Sequence, residues 1–573
     1  MWHFFKSQLA TAAEQYEAMQ SAIGPLRVSW TDLLVLFLRR ARHNTAQSWV
    51  ELGILAKTTI LVTLVLVVVA VVDHIQSQSS VLRRRGIPVL KVPKGIHRWN
   101  YEALLKEAAR QHPNSPYIIR EAGLEYVVYP ASCFEEVKRL STSQVSLVEW
   151  HHSTVFTGWH IFAPDNSPMY KVVSTDLMRA SPARVPQRQQ DAHRAFYTTF
   201  GSSCADWKSF PIYSAVQQLV TVTNSTGLVD PALATDPRWL RSVQRLPVFV
   251  MVAHFFLNVI PRPLRPLLST LAFLPARGVA WYMKRLLRPI LEQDFQEYYD
   301  QAKPAENKKN KVPVTAWLLS RYRPDERPTL DDIADDYVRI AFFSTPSSSA
   351  TAYFIFVELI TRPNLMDELR EELVQVISNP DRLTHADLYK LKKMDSFMRE
   401  AVRTKPFIYR TSRPILSVQL IPELYQHAHT TVVTVCRKTL QPLTLSLGPT
   451  IPPGTLICVD AHHIANNPSF YGPDPGEFNP LRSYVKRQQP GQESQHQFAS
   501  VGPDVSHWGG GPQVCPGREF ASDTIKLILT HLLLNYEVRL PEGKEVPRRR
   551  FMPNGTVAPD MGARMLVKER RRP

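Results

Sequence analysis

Residues 507–518, His507-Trp508-Gly509-Gly510-Gly511-Pro512-Gln513-Val514-Cys515-Pro516-Gly517-Arg518, constrain this chain more than any other stretch. Adjacent glycines permit positive φ and let backbone approach a flat ligand closely. Pro516 suits a first helical turn, and Glu519 through Leu534 continue with helical apolar spacing. Cys515 is therefore expected near a helix N-terminus, where the dipole and unpaired N–H groups favour the thiolate, the form that binds a metal. The bland alternative is a buried structural cysteine beside a flexible glycine turn.

The four other cysteines, Cys133, Cys204, Cys436 and Cys458, show no paired spacing, which argues against a disulfide framework or a zinc site and for a reducing compartment. Asn224-Ser225-Thr226 and Asn554-Gly555-Thr556 match the glycosylation sequon, a pattern that is common by chance. The formal net charge of +17 fits nucleic acid, anionic lipid or an acidic protein partner. No basic stripe interleaved with aromatics is present, so nucleic acid is the least favoured of the three.

Residues 52–72, LGILAKTTILVTLVLVVVAVV, are long and apolar enough to span a bilayer, with Lys57 near one end where it can snorkel. A signal peptide would begin nearer Met1 and carry a small-residue cleavage site, and a buried core helix is the other alternative. Arg83, Arg84, Arg85, Lys91 and Lys94 follow, which favours a cytoplasmic C-terminal side, although Arg39, Arg40 and Arg42 compete from upstream. The predicted division is an extension over 1–51, a transmembrane helix over 52–72, a basic proline-containing linker over 73–95, and a catalytic domain over 96–573.

Within that domain the pattern predicts a helix around Tyr101–Gln111 and strands at Tyr117-Ile118-Ile119, Tyr126–Tyr129 and Leu456–Val459. The run Val248–Ile260 is too short to span, and reads as a core helix or as a surface that dips into a membrane. A helix should start at Thr329 and run to about Thr361, kinked at Pro346, which cannot donate a backbone hydrogen bond. Another covers Leu391–Arg403 and places Glu400 and Arg403 at i, i+3, where they can pair.

The loop at 507–518 resembles the haem-binding signature of the cytochrome P450 family, with Trp508, Gly511, Cys515 and Gly517 at the matching positions. Trp508 stands in place of the usual phenylalanine, and Gln513 in place of a basic residue that often meets a haem propionate. Glu400-x-x-Arg403 with Arg482 in Phe478-Asn479-Pro480-Leu481-Arg482 is similar to the family's buried carboxylate and two arginines. Arg437 matches a basic position that often contacts a propionate. Ala341-Phe342-Phe343-Ser344-Thr345-Pro346 looks like the acid–alcohol segment over the haem, with Thr345 at the alcohol position and Ser344 replacing the acid. The tail at 540–560 resembles fungal members that oxidise terpenoids.

The resemblance implies a mainly α fold with a small β region, a cytochrome P450 fold behind an N-terminal transmembrane helix. It implies haem b ligated by Cys515, O2, and electrons from an NADPH-cytochrome P450 reductase. It implies a lipophilic substrate, a terpenoid or meroterpenoid, with no nucleic-acid partner. The chain is expected in the endoplasmic reticulum membrane, single-pass, with a cytosolic catalytic domain. An O2-independent haem-thiolate isomerase or dehydratase and a non-catalytic anchored protein are the rivals. The interval 405–431, with His427 and His429, is longer than the family pattern, and reads as an inserted loop or as translated non-coding sequence.

Overall fold

The computed structural model describes residues 85–91 and 101–570, apart from 122–123, 157–158, 160, 162–166, 202–203, 261–263, 301–312, 324, 405–432, 548–549 and 552–556. Four isolated residues before them are also described: Thr63, Leu64, Val68 and Leu82. The predicted extension, nearly all of the predicted span, most of the linker, and the interval 405–431 with its two histidines thus lie outside the described residues. Met1–Val72 and Asp73–Pro573 form separate compact units, and the architecture from residue 85 onward belongs to the second.

A five-stranded sheet draws its strands from residues 117–146 and 433–460. It contains β1 (Tyr117–Glu121), β2 (Leu124–Tyr129), β3 (Val145–Ser146), β5 (Val433–Thr439) and β6 (Leu456–Asp460), in the order β1-β2-β6-β5-β3, with β2 and β6 parallel and the other pairs antiparallel. Side chains alternate between faces along a strand, and both faces here are covered. Ile118, Val127, Tyr129, Ile457 and Val459 pack with Phe134 and Val137 of α2 (Phe134–Lys138). Tyr117, Tyr126, Val128, Leu456 and Cys458 pack with Leu104, Leu105 and Ala108 of α1 (Tyr101–Gln111). The expected elements at 101–111, 117–119, 126–129 and 456–459 are all present.

The helical part begins with α3 (Leu147–Thr154), α4 (Val185–Phe200), α5 (Ile212–Leu228), α6 (Pro237–Val259) and α7 (Leu274–Tyr299). Strand β4 (Lys208–Pro211) lies between α4 and α5 and later joins a second sheet. Next come α8 (Leu330–Ser344), α9 (Pro346–Ile360), α10 (Pro363–Val376) and α11 (Lys392–Thr404). Thr329 starts α8 with a capping box: its backbone N donates to Asp332 at 2.8 Å and its hydroxyl accepts from Asp332 N at 3.2 Å.

The expected single helix over 329–361 is two helices, α8 and α9, meeting at Thr345 (φ −94, ψ −53) where Pro346 withholds its N–H. Helix α12 (Arg518–Asn535) is buried almost all round, from Phe520 to Leu533, as an apolar central helix must be. It runs into β7 (Tyr536–Arg539), which pairs with β8 (Arg564–Glu569) beside β4.

Among the described residues, Pro237–Asn258 and Leu330–Ile360 are long and apolar enough to cross a membrane. The second is 72% buried within its apolar window, and most of it is core. Helix α6 is mixed: Leu246, Val250, Ala253 and Leu257 join the core, while Val248, Val252 and Phe256 are exposed. Val248–Ile260 is therefore a core helix on one side and an open apolar strip on the other.

Candidate active site

The glycine loop is built against α2. Gly509 and Gly511 have φ of +71° and +60°, and a Cβ on Gly511 would lie 1.8 Å from the carbonyl oxygen of Lys138. Only glycine allows that approach. Cys515 N donates to Trp508 O at 2.8 Å, closing the loop on itself. The Trp508 indole donates from Nε1 to Phe498 O at 2.7 Å. Gln513, expected only as a departure from a basic residue, is a clamp: Leu147 N donates to its Oε1 at 3.0 Å, and its Nε2 donates to Val145 O at 2.9 Å.

All five cysteines are free thiols, four are buried, and Cys515 alone is partly accessible. Space stands over the loop beyond it, since a Cβ on Gly517 would meet nothing nearer than Val173 Cγ1 at 4.0 Å. The expected lowering of the Cys515 pKa does not hold. Burial pushes the thiol above its ordinary value, outweighing the Gly517 N–H and the Arg518 charge, which both act downwards. The helix N-terminus alone does not make the thiolate, and a bound cation would have to draw the proton off. A soft sulfur donor on a glycine-rich loop, with room over Gly517, fits a flat haem ligated through Cys515.

Glu400, Arg403 and Arg482 come together. The Arg403 guanidinium donates to both Glu400 oxygens, at 2.7 and 2.6 Å, and Arg482 Nε lies 3.4 Å from Glu400 Oε1. Arg403 also donates to Ala465 O, Pro475 O and Glu477 O, at 2.8, 2.7 and 3.1 Å. Glu400 and Arg403 are buried, and the carboxylate's remaining demand is met by Asn479 N at 2.9 Å. Such a closed, charge-assisted set fixes position more than it adds net stability. The neighbouring Arg399 extends it to the segment before the loop, donating to Asp504 at 2.8 Å and to Gln497 O at 3.0 Å.

Arg437 lies buried on β5, donating to Cys436 O at 2.8 Å, just past a bulge between Thr434 and Arg437. Val435 within the bulge has φ +49°, an outlier for a β-branched residue. Bulges commonly re-aim side chains beside active sites, and this strain marks the strand as one of them.

Ser344 and Thr345, at the acid and alcohol positions, line one cavity. Thr345 is 2% exposed and lines this small cavity with Ser344, with Ser225 and Leu228 of α5, and with Trp239 and Val243 of α6. Phe342, Phe343, Ser344, Ser347 and Thr351 keep partial exposure, while Ala341, Thr345, Pro346, Ser348, Ser349 and Ala350 are buried. Partial exposure in mid-core marks a cleft. Ser347, which sequence reasoning missed, is a further partly exposed hydroxyl just beyond the break. Ser347 Oγ donates to Phe343 O at 2.9 Å and Ser344 Oγ to Ala341 O at 3.3 Å.

The family model for Cytochrome P450 matches residues 250–433 and 419–567. The chain is 35% identical over 568 residues to cytochrome P450 monooxygenase ffsD of Aspergillus flavipes, covering 98% of this chain and 100% of that one. It is 32% identical over 561 residues to pyrichalasin C-18 hydroxylase of Pyricularia grisea, covering 97% and 98%. Among solved structures, cyanobacterial CYP120A1 with bound retinoic acid superposes with a TM-score of 0.57 at 17% identity, over 84% of this chain and 100% of that one, a likeness of fold.

Proposed function

Since this chain belongs to the cytochrome P450 family, whose cofactor is a cysteine-ligated haem, we propose that it inserts oxygen into a lipophilic secondary metabolite, with Cys515 as the iron ligand. The accessibility of Cys515 alone among five cysteines, on a loop held shut by Trp508, Gln513 and Gly511, carries this reading. When bound, thiolate-ligated haem supplies O2 activation by two-electron reduction.

The chain's residues do the rest. Glu400, Arg403 and Arg482 hold the scaffold behind the loop, and Arg437 would meet a haem propionate, as the family resemblance implies. Ser347 and Ser344 present hydroxyls on the part-open face of α8 and α9, where they can pass protons from water although no acid stands beside them. Phe342 and Phe343 on the neighbouring turn keep that face apolar, and Phe156 packs on Phe342 at 6.1 Å. An apolar wall with a few hydroxyls selects a lipophilic substrate. The terpenoid and meroterpenoid expectation rests on the tail at 540–560, while the similarity to a pyrichalasin hydroxylase supports the broader class of secondary metabolites.

The electron donor in this proposal is an NADPH-dependent reductase, which the net charge of +17 suits if its docking face is acidic. Membrane attachment is proposed through residues 52–72, assisted by the apolar strip of Val248, Val252 and Phe256 together with Leu267, Leu271, Leu274 and Trp281, all exposed. The catalytic part would then face the cytosol from the endoplasmic reticulum.

The reduced carbon monoxide difference spectrum tests the haem and its ligand together. The unaltered protein should give the thiolate-type band and Cys515→Ser should lose it. Retention of that band in Cys515→Ser would refute the assignment. Product formed only with both NADPH and O2 separates oxygen insertion from the isomerase or dehydratase reading, for which neither is needed.

A further inference from the structure

Asn224 opens Asn224-Ser225-Thr226, the pattern that marks a glycosylation acceptor when it lies on an exposed loop. Here it lies on α5 and is 1% exposed, beyond the reach of a modifying enzyme. Burying an amide unsatisfied costs about 1–3 kcal/mol, so its partners explain its place. Its Nδ2 donates to Ser344 O at 3.0 Å, and its Oδ1 accepts from Thr524 Oγ1 at 2.7 Å.

The orientation of that amide is set from α12. Thr524 Oγ1 has one proton and two acceptors in reach, Asn224 Oδ1 and Phe520 O, the latter at 2.9 Å. Arg188 of α4, stacked 3.9 Å above the Phe520 ring, donates to Phe520 O at 3.2 Å and also to Thr524 Oγ1. Phe520 O is thereby satisfied, and the Thr524 proton is left for Asn224. With its oxygen committed to Thr524, the amide turns its N–H toward Ser344. The helices can meet this closely because residue 227 is glycine: a Cβ there would stand 2.7 Å from Phe520 Cζ.

Ser344 ends α8 at the break. Pro346 gives no N–H, so Phe342 O loses its helical donor and the turn must be held in other ways. Ser344 Oγ to Ala341 O and Ser347 Oγ to Phe343 O are local, whereas Asn224 reaches in from another helix. We propose that Asn224 is a positioning residue of the reaction: through Ser344 O it sets the break, and with it the direction in which the Ser344 and Ser347 hydroxyls meet the cleft. This rests on the proton-passing role proposed for that face. It also makes the helix beyond Cys515 and the break over the cleft one mechanical unit, joined through Thr524 and Asn224.

Asn224→Asp tests it. The carboxylate keeps the acceptor for Thr524 and the volume, loses the donor to Ser344 O when ionised, and regains one when protonated. In holoenzyme reconstituted with an NADPH-dependent reductase, without added substrate, this variant should load haem normally by its carbon monoxide spectrum. It should release about fivefold more hydrogen peroxide per NADPH near pH 8, the effect of losing one buried hydrogen bond, and return toward the unaltered yield near pH 6. Asn224→Leu cannot donate at any pH and should stay high at both. Amide hydrogen exchange over residues 343–351 in the resting holoprotein should quicken in both variants at the higher pH. Unchanged exchange, or a peroxide yield equal to the unaltered protein at every pH, overturns the proposal. Haem loss matching the activity loss, with the loaded molecules behaving normally, overturns it too and leaves Asn224 a packing residue. If Ser347→Ala leaves the peroxide yield unchanged, the reading of the cleft face has failed, a result separable from the exchange data on Asn224.

Discussion

Asp395 Oδ1 lies 2.9 Å from Lys526 Nζ, with both side chains buried, so the helix carrying Glu400 is ion-paired to the helix that begins just past Cys515. Asp395 Oδ2 meets Arg487 at 3.1 Å and Phe498 N donates to Oδ1 at 3.3 Å, while Lys526 also donates to Leu388 O at 3.0 Å. One carboxylate thus joins α11, α12 and the segment leading into the glycine loop.

Removing Asp395 would strand two buried cations. Asp395→Ala should destabilise the fold by about 3–5 kcal/mol, while Asp395→Ala with Lys526→Met should recover part of that loss, because the second change removes one of the stranded charges. Denaturant unfolding of the three proteins decides it; a double variant no more stable than the single would show that Lys526 does not depend on Asp395.

Ser347→Ala should raise the hydrogen peroxide released per NADPH by roughly tenfold with haem binding intact, less than the ~10²–10⁴-fold typical of losing a general acid because water can still bring protons to the face. Thr345→Ala should leave that yield near the unaltered value and show mainly as a lower melting temperature. The reverse pattern would return the alcohol role to Thr345.

Gln513→Ala removes both hydrogen bonds to the backbone of residues 145 and 147. At about 0.5–1.5 kcal/mol each, their loss should speed haem release to an acceptor apoprotein severalfold without changing the thiolate-type spectrum. An unaltered release rate would mean that the loop holds its shape without the clamp.

Glu372 accepts from Lys393 N and Met394 N, at 2.6 and 2.9 Å, and burial pushes its pKa up to about 7 despite those bonds. A carboxyl whose folded pKa lies above its unfolded one binds more protons folded, so its contribution is fully present below the unfolded value of 4.5 and is lost as pH rises through about 7. Stability should therefore fall across that window, and Glu372→Gln should flatten the fall. Melting temperatures over the window check this, and parallel profiles for the two proteins would count against it.

What the sequence displayed were features whose partners lie nearby or whose spacing carries the message. The glycines around Cys515, the pair Glu400 and Arg403, the apolar and aromatic runs of β1, β2 and β6, and the capping of α8 at Thr329 are of that kind. Asn224, Asp395 and Gln513 were opaque because each acts on a residue about a hundred or more positions away, and an isolated polar residue in an apolar run says nothing of its partner.

The clamp at Gln513 also bears on when this enzyme can acquire its cofactor. Gln513 and Leu147 are 366 residues apart in sequence, and Gly511 rests on Lys138 over a similar span. During synthesis at about 5–20 residues per second, the early segment must leave the ribosome roughly 20–70 seconds before the loop that completes it. Haem capture is thus confined to the nearly finished polypeptide. Throughout that delay the early strand edge at residues 145–147 stands without its later partners, Gln513 and β5.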